Sequence, residues 1–490
     1  MADFKKRTME YEAVVGLEVH VQLRTRSKAF SRSRCSYGEE PNGATDPVVL
    51  GLPGALPVLN REAVLQCIRA GLMFGSQISR ITSWDRKNYF YPDSPKNYQI
   101  TQQARPICVG GTVEIELPGR ARNIQGEHRF IRLNRIHLEE DVGKLTHEDG
   151  HSLIDFNRAG TPLAEIVTEP DLRSAEEAAA CLNSIRMYLA HAEVSPCDME
   201  KGQMRCDVNV SLRPMGSDEL GTRVELKNLN SISAVRHAID QEILRQGRIL
   251  RANGTILQET RRWDAVRNCS DGMRRKEAVH DYCYFPDPDL PPLRLGEELI
   301  QRLRDELPEK PFDRQRRYER CYGLPYTLTS VLCPSRALGD FFEAAVKIYN
   351  NPRAIANLVA NDLLREIGAV GGCWSELRLS PNDLAELVAA VDRGELSKQS
   401  AQDVLAAMCH SGERPAAAME RLGIGGSDID LEKICREAIG ENVRATAEFK
   451  GGKVAAINAL KGAVMGKTAG RADPPMVDAT LRRLLLKNTE

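Results

Sequence analysis

The stretch VVGLEVHVQL, residues 14–23, alternates apolar and polar side chains from Gly16 onward. Every second residue from Leu17 to Leu23 is apolar, and the residues between them are Glu18, His20 and Gln22. A period of two predicts a β-strand with one buried face. Its polar face carries a carboxylate and an imidazole two residues apart. This pair fits either a solvated strand face or the ligands of a bound group.

Other segments repeat the alternation. In RCDVNVSLR, residues 205–213, and RVELKN, residues 223–228, apolar side chains again share one face and polar side chains the other. Several strands of this kind predict a largely antiparallel sheet that is open on one side. With the helices described next, the predicted fold class is α+β.

Two helices are predicted within the sheet region. The first begins with a capping box formed by Ser174 and Glu177, and the second starts near Ser231 and stops near Gly254. A Pro-rich segment, residues 281–293, is interpreted as a boundary. Beyond it the pattern is helical nearly to the end, with Ser380 and Pro381 opening one helix.

The composition is that of an ordinary water-soluble protein. The 490 residues are 28% charged and 42% hydrophobic, which predicts two to four globular domains. There is no apolar run of membrane-spanning length and no secretory signal, so a cytoplasmic location without a membrane is expected. Thirteen scattered cysteines without a C-x-x-C pair predict reduced thiols.

The C-terminal segment is basic although the whole chain has a net charge of −1. From Val443 onward, nine Lys/Arg stand against four acidic residues, a difference of 9 − 4 = +5. Contact with a phosphate backbone and an ordinary solvated helix surface explain this charge equally well. The segment GAVMGKT, residues 462–468, is one residue too short for a phosphate-binding P-loop and follows a helical pattern, so we reject that interpretation.

Acidic residues cluster in the first half of the chain. Glu139 and Glu140 follow an alternating apolar run, and Glu165 stands among apolar neighbours, where an unpaired carboxylate is costly. Together with Glu18 and His20 they form a set of oxygen donors with one imidazole, which suits Mg²⁺. Each residue taken singly is explained as well by a hydrogen bond, a salt bridge or solvation.

Residues 85–103 interleave tyrosine and phenylalanine with arginine, lysine and two prolines. Such a stretch can bind a nucleotide or an RNA end by stacking and phosphate contact. A rigid loop whose aromatic rings plug the edge of the core is the favoured interpretation from sequence alone.

Nine segments, in this order, carry a family resemblance. They are GLEVHVQL, GLPGALPVLN, DRKNYFYPD, HLEEDVGK, NRAGTPLAEIVTEPD, RCDVNVSLRP, ELKNLNS, QETRRWD and YFPDPDLPPL. The chain closely resembles the B subunits of the tRNA-dependent amidotransferases (GatCAB) over essentially its whole length. The resemblance implies a cradle domain with the kinase site at residues 1–294, an all-α helical domain at 295–412, and a basic helical tail domain that binds tRNA at 413–490.

The resemblance also implies the reaction and the partners. A C–N ligase of this family converts Glu-tRNA(Gln), Asp-tRNA(Asn) or both to the amide form, in a heterotrimer with an A subunit, which is a glutaminase, and a C subunit. The B subunit phosphorylates the side-chain carboxylate with ATP, and ammonia then displaces phosphate. Two alternatives remain open: a tRNA-binding scaffold with a degenerate kinase site, and a free-standing ligase for a small amino acid.

Transferred by motif, the Mg²⁺ ligands of the family fall on His20, Glu140 and Glu165, with Glu18 beside them, and Asp207 matches a further acidic residue of the site. Four further residues are assigned contacts with ATP phosphates or the ammonia channel on motif membership alone: Lys87, Asn88, Lys227 and Asn228. Many members have a four-cysteine zinc motif. This chain has Ser31, Ser33, Asp46 and Val49 at those positions, so no structural zinc is expected.

Overall fold

A computed structural model describes residues 11–121, 123–275, 282–369, 378–424, 431–468, 472 and 474–487. The chain divides into two compact units, Met1–Lys310 and Pro311–Glu490. The N-terminal residues 1–10, Cys373, Arg471, Asp473 and Glu490 lie outside the described residues, so the expectations that involve them keep their sequence basis only. The three-domain division predicted above also stays a prediction.

The first unit contains the sheets and four helices of the described chain. The strands are β1 Tyr11–Gln22, β2 Gln77–Ile78, β3 Ile81–Thr82, β4 Asp85–Asn88, β5 Tyr98–Thr101, β6 Cys108–Val109, β7 Thr112–Glu116, β8 His128–Glu140, β9 Lys144–Glu148, β10 His151–Asp155, β11 Pro162–Thr168, β12 Met204–Pro214, β13 Val224–Leu229, β14 Glu259–Asp264, β15 Cys269–Arg275, β16 Cys283–Pro286 and β17 Leu293–Arg294. The helices are α1 Arg61–Met73, α2 Ala175–His191, α3 Ile232–Arg251 and α4 Glu297–Asp305.

In the described residues one ten-stranded sheet dominates this unit. Its order is β15-β14-β13-β12-β1-β11-β8-β6-β2, with β7 also paired to β8. The pairs are antiparallel except β13 with β14, which are parallel. The prediction of a largely antiparallel sheet from the alternating segments is therefore confirmed, and β1, the strand of the opening stretch, lies near its centre.

The apolar face of the sheet is covered by helices. Leu17, Val19 and Val21 of β1 are at most 1% exposed. The helix α2 packs against β7 and α3, and α3 packs against β12. The predicted caps form in part: the Ser174 side chain accepts from the backbone N–H of Glu177, whereas the Glu177 carboxylate accepts from the backbone of Arg173. Because the helices cover one face only, the polar face of β1 is left for other groups.

A small three-stranded sheet, β16-β4-β5, adjoins the end of β8. The backbone N–H of Ile100 in β5 donates to the Glu140 carboxylate at 2.9 Å. The Pro-rich segment that sequence analysis treated as a boundary supplies β16 and β17, which pair with β4 and β3. Since it is paired inside the first unit, this segment differs from a free linker, and the unit continues to Lys310.

The second unit is helical throughout its described residues. Its helices are α5 Pro311–Tyr322, α6 Tyr326–Leu332, α7 Arg336–Ile348, α8 Pro352–Asn357, a π-helical turn Leu358–Leu363, α9 Leu364–Ala369, α10 Pro381–Asp392, α11 Lys398–Ser411, α12 Pro415–Leu422, α13 Leu431–Glu441, α14 Val443–Lys450, a 3₁₀ turn Val454–Ala456, α15 Ile457–Lys467 and α16 Pro474–Lys487. Ser380 and Asp383 form the capping box of α10.

Two hydrophobic cores lie within this second unit. One gathers buried residues from Tyr318 to Ala418, and the other gathers buried residues from Cys435 to Leu485. The segment GAVMGKT falls in α15, and the Thr468 hydroxyl donates to the backbone of Val464, so the rejection of a P-loop is confirmed.

Two further expectations concern the whole chain. The twelve cysteines in the described ranges are free thiols. Among the described residues, every helix is too short or too polar to cross a lipid bilayer.

Candidate active site

The strand register brings four polar side chains into one row on the open face of the sheet. His20 of β1 lies opposite Arg205 of β12 and opposite Glu165 of β11, and Glu165 lies opposite His137 of β8. Residues directly opposite in antiparallel strands project to the same face. The row therefore runs Arg205, His20, Glu165, His137 across four neighbouring strands.

His20 is the centre of a cluster of carboxylates. Its Nε2 atom lies 3.3 Å from Glu139 Oε1, 3.4 Å from Glu165 Oε2 and 3.9 Å from Glu18 Oε1. Glu139 is 2% exposed and Glu165 is 8% exposed. Buried carboxylates without a cation are costly, so these two, with the partly exposed Glu18 beside them, indicate a site that attracts positive charge.

The charges of this cluster shift one another's pKa values. Burial alone lowers the pKa of His20, but hydrogen bonding and attraction from Glu139 and Glu165 outweigh it and hold that pKa well above its usual value. Burial, with repulsion from Glu165, raises the pKa of Glu18. Burial also favours protonation of Glu165, yet His137 and His20 bring its pKa well below the usual value. Glu165 is thus held as an anion.

The structure separates the two adjacent glutamates Glu139 and Glu140. Glu139 projects to the open face with His137, because residues two apart share a face of a strand. Glu140 projects the other way, where it pairs with Lys96 and accepts from the backbone of Ile100. The resemblance placed Glu140 among the ligands, but the geometry brings Glu139 to His20 in its place.

Asp207 lies on the same face as His20, in the neighbouring row that contains Glu18. It is opposite Glu18 on β1, and its Oδ2 atom accepts from Lys227 Nζ at 2.8 Å. Burial lowers the pKa of Lys227, but Asp207, Glu225 and Glu18 raise it above its usual value overall. Lys227 is therefore a firmly charged ammonium at the edge of the cluster.

A bulge in β13 aims Lys227 at this cluster. Cys206 pairs with Leu229 and Val208 with Leu226, so two residues of β13, Lys227 and Asn228, oppose Asp207 alone. Asn228 has φ = 69°, and its amide donates to the backbone carbonyl of Trp263 at 2.9 Å. Its amide is thus engaged with the backbone, and the contact to phosphate or to the ammonia channel expected from motif membership stays a prediction.

Lys87 and Asn88 differ in the same way as Lys227 and Asn228: the lysine faces the carboxylates and the asparagine bonds to the backbone. Burial lowers the pKa of Lys87, but the nearby Glu139, Tyr284 and Glu165 raise it overall, and its Nζ lies 4.8 Å from the ring centre of Tyr282. The Asn88 amide donates to the backbone carbonyl of Cys283 at 2.8 Å. Lys87 is therefore oriented towards the carboxylates, while Asn88 connects β4 to β16.

The aromatic residues of 85–103 do not behave as one group. Tyr98 lies under the guanidinium of Arg86 at 4.3 Å, which fits the favoured interpretation of a packed loop. Phe90 is 87% exposed and Tyr91 is 53% exposed, so these two rings do not plug the core.

Next to the cluster, Asp141 forms ion pairs with two arginines. Its carboxylate accepts from Arg205 at 2.8 Å and lies 3.5 Å from Arg158. Burial raises the pKa of Asp141, but these two guanidinium groups lower it below its usual value overall. Asp141 is satisfied by protein cations and is therefore a structural anchor at the end of the row.

Hydrogen bonds connect the positions at which many members of the family have zinc-binding cysteines. The Ser31 hydroxyl donates to Asp46 at 2.6 Å, the Ser33 backbone N–H donates to Ser31 at 3.0 Å, and the Val49 backbone donates to Asp46 at 2.9 Å. The buried Lys28 donates to the backbone of Ala44 at 2.6 Å. That this chain binds no zinc stays a prediction.

The donor set fits a hard divalent cation. In the described part of the chain two overlapping groups have ligand atoms close enough to hold an ion, Glu18 with His20 and Glu165, and His137 with Glu139 and Glu165. Carboxylate oxygens in the majority are what Mg²⁺ prefers. The sequence analysis includes Glu139 in the donor set but not His137, although their i, i+2 spacing in IHLEE repeats that of Glu18 and His20.

Comparisons with known proteins agree over nearly the whole length. Residues 13–301 match the family described as "GatB/GatE catalytic domain", and residues 340–485 match the "GatB domain". The chain is 54% identical to the aspartyl/glutamyl-tRNA(Asn/Gln) amidotransferase B subunit of Opitutus terrae, covering 97% of this chain and 99% of the relative. For the protein of the same name in Methylacidiphilum infernorum the identity is 46%, with 97% and 99% covered, and in Thermoanaerobacter pseudethanolicus it is 43%, with 98% and 100% covered.

Proposed function

The chain belongs to the aspartyl/glutamyl-tRNA(Asn/Gln) amidotransferase B subunits, components of C–N-forming ligases, and on this premise we propose that its open sheet face activates the side-chain carboxylate of a misacylated tRNA with ATP. The observation that carries the proposal is the cluster of Glu18, Glu139 and Glu165 around His20, flanked by lysines. A site with two buried carboxylates suits phosphate chemistry with a bound cation better than simple contact with an RNA backbone, which attracts basic side chains.

The residues that would hold Mg²⁺ are His20 and Glu165, with Glu139 and Glu18 beside them, and binding the ion would release the proton that these carboxylates keep on His20. When bound, the ion neutralises charge on phosphate oxygens that would otherwise repel an attacking carboxylate. Glu165 suits this task because its pKa is held well below the usual value, so it stays ionised at neutral pH. Glu140 is left out of the proposal, since its carboxylate is occupied by Lys96 and the backbone of Ile100.

The proposed reaction has two substitution steps, phosphorylation of the carboxylate and displacement of phosphate by ammonia. A carboxylate oxygen of the substrate attacks the γ-phosphorus of ATP, the bond from that phosphorus to the β–γ bridging oxygen breaks, and ADP leaves. Ammonia then attacks the carbonyl carbon of the acyl phosphate, loses a proton, and expels inorganic phosphate. Phosphorylation lets this carboxylate oxygen leave as part of inorganic phosphate. An unactivated carboxylate has no such leaving group.

Two lysines from different sheets supply positive charge to the cluster. Lys87 and Lys227 are both partly buried, and carboxylates keep their pKa values above the usual value. A permanently charged ammonium near transferring phosphate lowers the barrier by stabilising charge that develops on oxygen. We therefore assign phosphate contacts to Lys87 and Lys227, and backbone anchoring to Asn88 and Asn228.

The remaining roles follow from the family. We propose that the chain works in a heterotrimer whose A subunit supplies ammonia from glutamine and whose C subunit completes the assembly. Glu-tRNA(Gln), Asp-tRNA(Asn) or both are the substrates, and the basic C-terminal helices contact the tRNA backbone. We propose that the protein acts in translation, in the cytoplasm.

The test is reconstitution with the A and C subunits, ATP, Mg²⁺, ammonia and Glu-tRNA(Gln), following Gln-tRNA. Replacing Glu165→Gln should lower amide formation by at least about 100-fold, since a charged ligand is lost. The matched control is Glu169→Gln, directly after the same strand, whose carboxylate accepts from Asn134. Undiminished product with Glu165→Gln, or no product with the unaltered chain, would overturn the proposal.

A further inference from the structure

In the described part of the chain, His137 forms an ion-pair contact with one member of the cluster, Glu165, and lies near Glu139. Its Nε2 atom lies 3.3 Å from Glu165 Oε2, the oxygen that also lies 3.4 Å from His20 Nε2. His137 is 3% exposed, whereas the His20 side chain is 16% exposed. The two imidazoles thus flank the same carboxylate oxygen from β8 and β1, one from the interior and one from the open side.

The second ring nitrogen of His137 decides where its proton lies. Nδ1 is buried and has no hydrogen-bond partner among the described residues. A neutral imidazole carries one N–H and one lone pair. A proton on Nδ1 would leave a buried donor unsatisfied and would turn the Nε2 lone pair towards a carboxylate oxygen. A proton on Nε2 places the donor next to Glu165 instead, and this tautomer is the favourable one.

From this geometry we propose that His137 is a positioning residue that holds Oε2 of Glu165 through its Nε2 proton and leaves the other carboxylate oxygen for the metal. The inference rests on the metal assignment of the proposed function. Histidine and carboxylate partners behind a ligand typically fix its orientation and raise metal affinity. Glu165 would otherwise have rotamer freedom about its side chain, and its burial would favour the neutral acid.

His137 is not itself the ligand in this account. To bind a cation, Nε2 would have to present its lone pair, and the proton would move to the buried Nδ1. Ligating histidines almost always donate that second N–H to a partner, and His137 Nδ1 has none in the described part of the chain. His20 Nε2 also faces carboxylates, but in the described part of the chain neither of its ring nitrogens is a buried atom without a partner, so its proton can move to Nδ1 and His20 takes the ligand position.

The test uses the complete heterotrimer and Mn²⁺ as the probe, with its dissociation constant measured by electron paramagnetic resonance. Because the Gln side-chain amide can replace an Nε2 donor and Leu cannot, His137→Leu should weaken Mn²⁺ by about 10- to 100-fold while His137→Gln stays within a few-fold of the unaltered protein. Hyperfine coupling should show one imidazole nitrogen on the metal in all three proteins. Glutamine hydrolysis by the A subunit and thermal unfolding check that the variants are folded and assembled.

Each other outcome has a definite meaning. Two coupled imidazoles in the unaltered protein, or loss of a coupling in His137→Gln, would make His137 a ligand and overturn the inference. Equal weakening by Leu and Gln, or unchanged affinity with Leu, would overturn it as well. If Mn²⁺ does not bind the unaltered protein, the metal assignment falls together with the inference. If Mn²⁺ binding by His137→Leu and His137→Gln changes as expected but the unaltered enzyme forms no amide, only the proposed reaction is rejected.

Discussion

At the scale of residues, the neighbours Glu139 and Glu140 have different partners because adjacent residues of a strand project to opposite faces. Glu139 faces His20, and Glu140 faces Lys96 on the other side of β8. Both glutamates are at most 5% exposed, so each needs a cationic partner. Lys96 is a partner supplied by the protein, whereas Glu139 belongs to a group whose ligand atoms are close enough together to hold a cation.

Exchanging each glutamate for glutamine should therefore give different defects. Glu139→Gln removes one charge from the cluster and should weaken Mn²⁺ binding by about 10-fold or more with little loss of stability. Glu140→Gln breaks a buried ion pair and should lower the free energy of unfolding by on the order of 3 kcal/mol. Paramagnetic titration and denaturant unfolding measure the two effects. If Glu140→Gln lost Mn²⁺ binding at unchanged stability, the ligand expected from the resemblance would be the right one.

At the scale of elements, period-two alternation was enough to predict β1 and its two faces, because side-chain direction in a strand depends only on parity. The register between strands was not predictable, since it is set by long-range pairing and by bulges. Without the register of β8 against β11, nothing in the sequence distinguishes Glu139 from Glu140 or brings His137 to Glu165. The strands that carry the site could thus be predicted from the sequence, but which of their residues meet could be predicted only in part.

The bulge of β13 is the element that places Lys227. Asn228 has φ = 69°, a conformation that Asn and Gly adopt readily and a β-branched residue resists. Asn228→Val should shift the bulge and raise the KM for ATP by about 10-fold, while Asn228→Gly should keep it within a few-fold. Steady-state kinetics of the assembled enzyme measure both. Equal KM values for the two variants would show that backbone conformation does not position Lys227.

The buried Lys28 gives the loop between β1 and α1 a pH dependence. Burial lowers its pKa from 10.5 to about 8, although acidic neighbours such as Asp46 act in the other direction. Between these two pH values the folded chain binds fewer protons at Lys28 than the unfolded chain, so stability rises with pH there. Below pH 8 the full cost of the buried charge is present.

Comparison with Lys28→Met isolates this effect. From pH 7 to pH 10, the unfolding free energy of the unaltered protein should rise by about 2 kcal/mol relative to Lys28→Met. Denaturant midpoints at the two pH values measure the change, with Lys144→Met, an exposed position, as the control. A constant difference between the unaltered protein and Lys28→Met across this range would show that Lys28 keeps an ordinary pKa.

At the scale of the whole molecule, the second unit contains a separable C-terminal core. The larger helical core of this unit ends with residues up to Ile424, and the other begins near Leu431. Several basic side chains of the last helices are paired with acids, as Lys467 is with Glu441 and Arg483 with Glu432. Internal pairing reduces the free charge below the sequence count, so the proposed tRNA contact would rest on a subset of these residues.

Deleting everything after Ile424 should raise the KM for tRNA by about 10-fold and flatten its salt dependence, because phosphate contacts release counterions. Glutamine hydrolysis by the A subunit should be retained. Amidation kinetics at two salt concentrations measure the effect against the full chain. An unchanged KM and salt dependence would assign tRNA binding to other surfaces.

The central claim is that oxygen of the substrate carboxylate is transferred to phosphate. Glu-tRNA(Gln) labelled with ¹⁸O in its side-chain carboxylate can be amidated by the heterotrimer with ATP and ammonia, and the released phosphate analysed by mass spectrometry. We predict one ¹⁸O atom in phosphate for each amide formed, and at least about 100-fold less labelled phosphate with Glu165→Gln, in step with its lower amide formation. Amide formation with unlabelled phosphate would contradict the account, because the carboxylate would then have been activated by another route.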